Sequence, residues 1–186
     1  MRDNEFLRNK VPMTKSEVRA ISIDKLKLQD KKSMLDIGSG TGSVSIQAAI
    51  EDPKLQVTAI EHNPDGIDIM NQNIEKFNIH NINLIEGEAP DDLPDDEYDA
   101  IFIGGSGGNQ AEIIDYSIKH LKVGGTLVLN FILFENAQSA VDLIATQPLE
   151  NVEVIQAAIS KWHSLGKGHY FKPQNPTIII SATRKG

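Results

Sequence analysis

The chain has no cysteine in 186 residues, which removes disulfide pairing and thiolate chemistry together. A domain of this length buries roughly 70% of the surface that its unfolded chain exposes, so it needs no covalent staple. Without thiolates, a metal site would rest on histidine and carboxylate. The five histidines, His62, His80, His120, His163 and His169, contain no pair at metal-ligand spacing, so no metal site is expected. No apolar run approaches the ~20 residues that span a bilayer, and Met1-Arg2-Asp3-Asn4-Glu5 lacks the apolar segment of a secretory signal. The expectation is a soluble, cytoplasmic protein with no membrane partner. Internal repeats, low-complexity tracts and Pro/Ser-rich linkers are also absent, which predicts a single domain over residues 1–186 whose first thirteen residues form an arm.

Charge of one sign is missing in two places. No base lies between Glu86 and Asp99, where eight acids crowd a solvated loop, and no acid lies in residues 154–186, which hold five bases. The net charge of −8 argues against a binder of phosphate backbones, so no nucleic-acid partner is expected. The acid-free tail contains Lys161-Trp162-His163-Ser164-Leu165-Gly166-Lys167-Gly168-His169-Tyr170-Phe171-Lys172, a basic and aromatic stretch suited to an aromatic ligand rich in carboxylates. Lys161, Lys167 and Lys172 are its candidate anchors.

Glycine, by contrast, is concentrated where chemistry is expected. Met34-Leu35-Asp36-Ile37 reads as a buried strand and leads into Gly38-Ser39-Gly40-Thr41-Gly42. Glycines at alternate positions let the backbone turn tightly against a ligand, and the helix that follows offers its N-terminal amides to a carboxylate or phosphate. A dinucleotide loop, G-x-G-x-x-G, would require glycine at Ser43. Asp36 before G-x-G-x-G is instead the pattern of Rossmann-like S-adenosylmethionine methyltransferases. Glu61 closes the strand at 56–61, about 20 residues beyond the glycines, where a carboxylate can accept both ribose hydroxyls. After a third strand, Glu88 is placed to accept the adenine amino group, and the Ala89 amide to donate to a ring nitrogen.

Apolar periodicity alternates strands and helices. Strands are predicted at 33–37, 56–61, 82–86, 98–104, 124–131, 152–158 and 177–183, and helices beginning near Ser43, Pro64, Asn109 and Glu135. Thr14-Lys15-Ser16-Glu17 matches a capping box, predicting a helix over 15–26 with Val18, Ile21 and Leu26 buried. The fourth strand runs into Gly104-Gly105-Ser106-Gly107-Gly108, whose amides can form an anion nest and admit a flat substrate. No acid, histidine, cysteine or tyrosine stands there as a base, so no catalytic side chain is assigned. Asn175-Pro176 is similar to the start of the Asn-Pro-Pro-aromatic motif of amino-methylating enzymes, but it precedes the wrong strand and lacks the second proline.

Val11-Pro12-Met13-Thr14-Lys15 with Glu17-Val18-Arg19, Asp36 to Ser45, Glu86-Gly87-Glu88-Ala89-Pro90 and Phe102 to Gly108 together resemble the cobalt-precorrin-6B C15-methyltransferases (decarboxylating) of anaerobic cobalamin biosynthesis, over nearly the full chain. The resemblance implies an α/β fold with a seven-strand methyltransferase sheet, mostly parallel with an antiparallel last strand and helices on both faces. Residues 1–30 would form an arm and helix covering the cofactor. Also implied are S-adenosylmethionine at Thr14, Gly38, Ser39, Gly40, Thr41, Gly42, Glu61 and Ala89, a cobalt-bearing tetrapyrrole substrate, a homotetramer, and a separate partner enzyme for C5 methylation. Ser39 stands where cysteine is frequent in that family, and Glu61 where aspartate is. The implied reaction methylates C15 and expels carbon dioxide from the acetate at C12. Other small-molecule or RNA methyltransferases, and non-catalytic cofactor-binding modules, share the cofactor motif and stay open as alternatives.

Overall fold

A computed structural model describes residues 1–105 and 108–186. After a short 3-10 turn, Asp3–Glu5, the chain runs α1 (Ser16–Leu26), β1 (Ser33–Ile37), α2 (Ser43–Glu51), β2 (Gln56–Glu61), α3 (Pro64–Lys76), β3 (Ile82–Glu86), β4 (Tyr98–Ile103), α4 (Gln110–His120), β5 (Leu121–Phe131), α5 (Phe134–Ile144), β6 (Leu149–Ala157), β7 (Ser160–Leu165), β8 (Gly168–Pro173) and β9 (Thr177–Arg184). Seven of the strands form one sheet in the order β3-β2-β1-β4-β5-β9-β6. β9 is antiparallel to both neighbours and the other pairings are parallel, as the family resemblance implies.

Alternation along the strands divides the core between two faces, because successive side chains point to opposite sides of a pleated sheet. Leu35 and Ile37 of β1, Ile101 and Ile103 of β4, and Leu127 and Leu129 of β5 pack with Ile113, Ile114 and Ile118 of α4 and with Ala137, Ala140 and Ile144 of α5. The intervening Met34, Ala100, Phe102 and Val128 pack with Val18, Ile23 and Leu26 of α1 and Val44 and Ala48 of α2. Burial on both faces explains why the parallel strands read as continuous apolar runs.

Three local expectations are corrected. The capping box at Thr14 does not form: Lys15 is the N-cap of α1, with no side-chain cap of its own. The Ser16 amide donates instead to Asp3 Oδ1 at 2.8 Å, and Glu17 pairs with Lys161 Nζ at 2.9 Å. The buried stripe of α1 also differs, since Arg19 and Ser22 join Val18, Ile23 and Leu26 inside while Ile21 is half-buried. The basic stretch after β6 is a separate two-stranded hairpin, β7 with β8, where the sequence predicts a loop.

Candidate cofactor and substrate cleft

Ile37 is registered against Ile60 on one side and Ile103 on the other, so β1, β2 and β4 end at one level. Strand order reverses beside β1, and ligands of open α/β sheets gather at such a switch point beyond the carboxyl ends. A cleft of about 690 Å³ opens there. Its wall contains Thr14, Gly38, Ser39, Gly40, Thr41, Glu61, Glu88, Ala89, Gly104 and Gly105 among the residues singled out from sequence. Gly42 stands behind it as the left-handed N-cap of α2. Ser106 and Gly107 lie outside the described residues, and Gly108 has no place in the wall.

The glycine loop has left-handed φ angles of 70° at Gly38, 55° at Gly40 and 74° at Gly42, a region costly for residues with a Cβ. Space is as restrictive as conformation at Gly38, where a Cβ would stand 2.6 Å from the carbonyl oxygen of Gly105. The first and fourth strand loops therefore touch backbone to backbone. Amides of Gly38 and Ser39 both donate to the Ile60 carbonyl, at 3.0 and 3.1 Å, tying the loop to the end of β2.

Glu61 is buried, and both of its carboxylate oxygens accept from backbone amides. Its Oε2 accepts from the Gly40 amide at 2.7 Å, while Oε1 accepts from the amides of Asn63 at 2.8 Å and His62 at 3.1 Å. The carboxylate thereby fixes both the glycine loop and the start of α3, with lone-pair capacity left on Oε2. Gly66 lets α3 approach, because a Cβ there would meet Glu61 Cγ at 2.9 Å.

Asp36 is the second buried carboxyl of the wall. Ser45 Oγ donates to its Oδ2, and Oδ1 has no protein partner. Burial pushes the group up to about 7, Ser45 hydrogen bonds oppose that rise, and the Glu61 charge adds to it. A buried carboxyl with a vacant oxygen on a cleft wall is suited to a cationic ligand.

At the far wall, Glu88 is exposed and its Oε1 accepts from Asn109 Nδ2 at 3.3 Å. The three candidate lysines of the tail, Lys161, Lys167 and Lys172, are not in the cleft wall. Lys161 pairs with Glu17 and lies 3.8 Å from Asp3 Oδ2, acids far from it in the chain, and Lys167 and Lys172 sit at the exposed hairpin. Instead, the wall recruits Arg8 and Lys15 from the arm, Asn130 and Ile132 from the end of β5, and Gln174 and Asn175 from the approach to β9. Sequence reasoning misses Arg8 and Lys15 because isolated cations read as surface. Asn175, set aside there for its strand position, reaches the cleft through the antiparallel return of β9. Among the described residues, no group of three or more His, Asp or Glu is placed to hold a metal ion, and no helix is long and apolar enough to cross a membrane.

The sheet order and the Asp36–glycine–Glu61 wall define the S-adenosylmethionine-dependent methyltransferase class. The fold recurs in an O-methyltransferase from Thermotoga maritima at a TM-score of 0.80, with 16% identity over 96% of this chain and 68% of that one. A model described as the precorrin methyltransferase domain matches residues 5–184, and the chain belongs to that family. It is 44% identical to the cobalt-precorrin-6B C(15)-methyltransferase (decarboxylating) of Salmonella typhimurium, over all of this chain and 96% of the relative. A probable enzyme of the same name from Sulfurisphaera tokodaii is 41% identical, with 96% and 94% covered. The crystal structure of a precorrin-6y C5,15-methyltransferase from Geobacter metallireducens superposes with a TM-score of 0.93 at 38% identity, covering 99% of this chain and 96% of that one.

Proposed function

We propose that the chain transfers the methyl group of S-adenosylmethionine to C15 of cobalt-precorrin-6B and that the C12 acetate side chain loses its carboxyl group as carbon dioxide, leaving a methyl group on C12. The observation that carries this reading is the full-length 44% identity to the Salmonella enzyme, combined with a cleft whose wall holds Asp36, the glycine loop and Glu61. The cleft lies within the ~300–1,000 Å³ range of small-molecule sites. S-adenosylmethionine supplies an electrophilic methyl on a sulfonium. Gly38, Ser39, Gly40 and Thr41 receive its methionine part close to the backbone, Glu61 accepts from the ribose, Glu88 and Ala89 face the adenine, and Thr14 closes the near side. Asp36, with its free oxygen, favours the cofactor's positive charge.

Decarboxylation releases an electron pair into the conjugated macrocycle, so the substrate furnishes its own nucleophilic carbon. The protein's part is placement and exclusion of water. Gly104 and Gly105 leave room for a flat ring at the end of β4, and the neighbouring Ser106, Gly107 and Gly108 belong to the same proposal. Residues 1–186 act as one domain, residues 1–30 cover the cofactor, and the enzyme works in the cytoplasm as a homo-oligomer, a tetramer by family resemblance. A separate enzyme performs C5 methylation; the Geobacter relative bears both positions in its name.

The test is anaerobic incubation with cobalt-precorrin-6B and S-adenosylmethionine followed by mass measurement. Gain of a methyl with loss of carbon dioxide is expected. Methyl gain alone would move the chain to the plain methyltransferases, and no change with retained cofactor binding would leave a binding module.

A further inference from the structure

The cofactor cleft has a charged and an apolar edge that cofactor binding does not account for. Arg8 and Lys15 flank Val11-Pro12-Met13 in the arm, and all of them line the cleft. Neither cation is in an ion pair among the described residues, whereas their neighbours Arg19 and Lys161 pair with Asp3 and Glu17. Lys15 is held below the ordinary lysine range, first by partial burial and next by the Arg8 guanidinium, with Asp3 opposing and Lys161 and Arg19 adding to the repulsion. Positive charge is therefore in excess at this edge, and an anion with more than one carboxylate would relieve it.

The same cleft is bordered after β5 by Ile132, which is 63% exposed, and the chain continues into the exposed side chains of Leu133 and Phe134. Exposed apolar residues at the mouth of a cleft mark a surface for an apolar ligand face. Taken together, the edges fit a broad apolar plate with carboxylates on its periphery.

We infer that Arg8 and Lys15 are the anchors for peripheral carboxylates of the tetrapyrrole, and that Ile132 and Leu133 underlie its ring face. This assignment rests on the functional reading above and replaces the hairpin lysines as the carboxylate site. Arg8 offers the planar fork that matches a carboxylate, and Lys15 a compact charge beside Thr14.

The test compares the parent enzyme with Arg8→Gln, Arg8→Lys, Lys15→Gln, the Arg8→Gln/Lys15→Gln pair, and Lys54→Gln as a control before the start of β2. The Michaelis constant for cobalt-precorrin-6B is measured at saturating cofactor, and the S-adenosylmethionine dissociation constant by calorimetry on the same samples. Each single Gln variant should raise the tetrapyrrole constant about tenfold, the expected cost of one charge-assisted contact. The pair should raise it further, Arg8→Lys should recover part of the loss, and cofactor affinity should stay within about twofold of the parent on the same affinity scale. An unchanged tetrapyrrole constant in the double variant of an active enzyme overturns the assignment alone. Loss of cofactor affinity to the same degree also overturns it, because the cations would then hold the cofactor's own carboxylate. A parent chain that binds S-adenosylmethionine but leaves cobalt-precorrin-6B unaltered sinks the functional reading, and this site with it.

Discussion

Asn73 clasps the backbone of Leu7: its Oδ1 accepts from the Leu7 amide at 2.8 Å, and its Nδ2 donates to the Leu7 carbonyl at 3.2 Å. The same Nδ2 donates to the Thr41 carbonyl at 3.1 Å. One fully buried side chain of α3 thus joins the arm that brings Arg8 to the cleft with the glycine loop on the other side of it. Arg19 secures the rest of the arm. Its guanidinium donates to the carbonyls of Met1 at 2.9 Å and Thr14 at 2.7 Å, lies over the Phe6 ring at 4.9 Å, and reaches Asp3.

Asn73→Ala should therefore loosen the arm as well as lower stability. It leaves backbone groups of Leu7 and Thr41 unpartnered, a loss of about 2 to 3 kcal/mol. At roughly 2–4 °C per kcal/mol for a chain of this size, the melting temperature should drop by about 5–10 °C. S-adenosylmethionine affinity should fall as well, because the arm supplies part of the cleft wall. An unaltered melting curve would mean that Arg19 and the other arm contacts, such as Lys76 on the Glu5 carbonyl and Asn9 on the Asp65 carbonyl, hold the arm without Asn73.

Substitution of Glu61 should separate charge from shape. Glu61→Ala removes acceptors from three amides and the expected ribose contact together. Glu61→Gln keeps the length but turns one acceptor into a donor facing Gly40 or facing His62 and Asn63, so it should be nearly as harmful. Both should weaken S-adenosylmethionine about tenfold or more, in line with charge-assisted hydrogen bonds in a dry site. A folded Glu61→Gln protein with parental affinity in calorimetric titration would remove the carboxylate from the ribose site.

These two residues differ in how readily the sequence reveals them. Glu61 was legible because its position follows from a short apolar strand and a spacing to the glycine loop, both local properties. Most strand limits were legible for the same reason: β1, β2 and β3 coincide with the predicted 33–37, 56–61 and 82–86. Asn73 was not, since its partners Leu7 and Thr41 are brought to it only by the fold. Arg19 reads as surface in an amphipathic pattern, yet it is fully buried because the arm supplies carbonyls and Asp3 around it. The cap of α1 likewise comes from Asp3, which no local capping pattern detects. Hairpin β7–β8 escaped notice because its large side chains face outward on a strand pair without a buried face.

Asp36 should make the unliganded protein's stability fall with pH. Its folded-state value of about 7 lies above the ordinary 3.8, so the folded chain holds a proton that the unfolded chain releases earlier. That stabilising contribution is complete below pH 3.8 and is lost as pH rises through 7. Relative to Asp36→Asn, the parent should therefore lose melting temperature between about pH 4 and 7. Binding of cationic S-adenosylmethionine should favour the charged carboxylate, drive off a substantial fraction of a proton near pH 6, and tighten as pH rises. Calorimetry in two buffers of different ionisation enthalpy reads that release. Equal observed heats in the two buffers, together with parallel melting curves, would place the Asp36 titration outside this range.

The hairpin should govern assembly rather than catalysis. Trp162 and Phe171 are 61% and 63% exposed and meet edge-on at 5.1 Å, and Leu165 at the tip is also exposed. Aromatic side chains of this kind bury ~150–250 Å² each when covered. Val152 and Val154 are exposed on the edge strand β6, and an open edge with apolar side chains invites pairing with another chain. Trp162→Glu with Phe171→Glu should then convert a homo-oligomer to monomers in sedimentation velocity, with the far-ultraviolet circular dichroism of the parent. The S-adenosylmethionine affinity of the monomer should be near parental, because none of these side chains belongs to the cleft wall. A parent that sediments as a monomer at tens of micromolar, or a double variant that keeps the parent's size, would assign the apolar hairpin a role other than self-association.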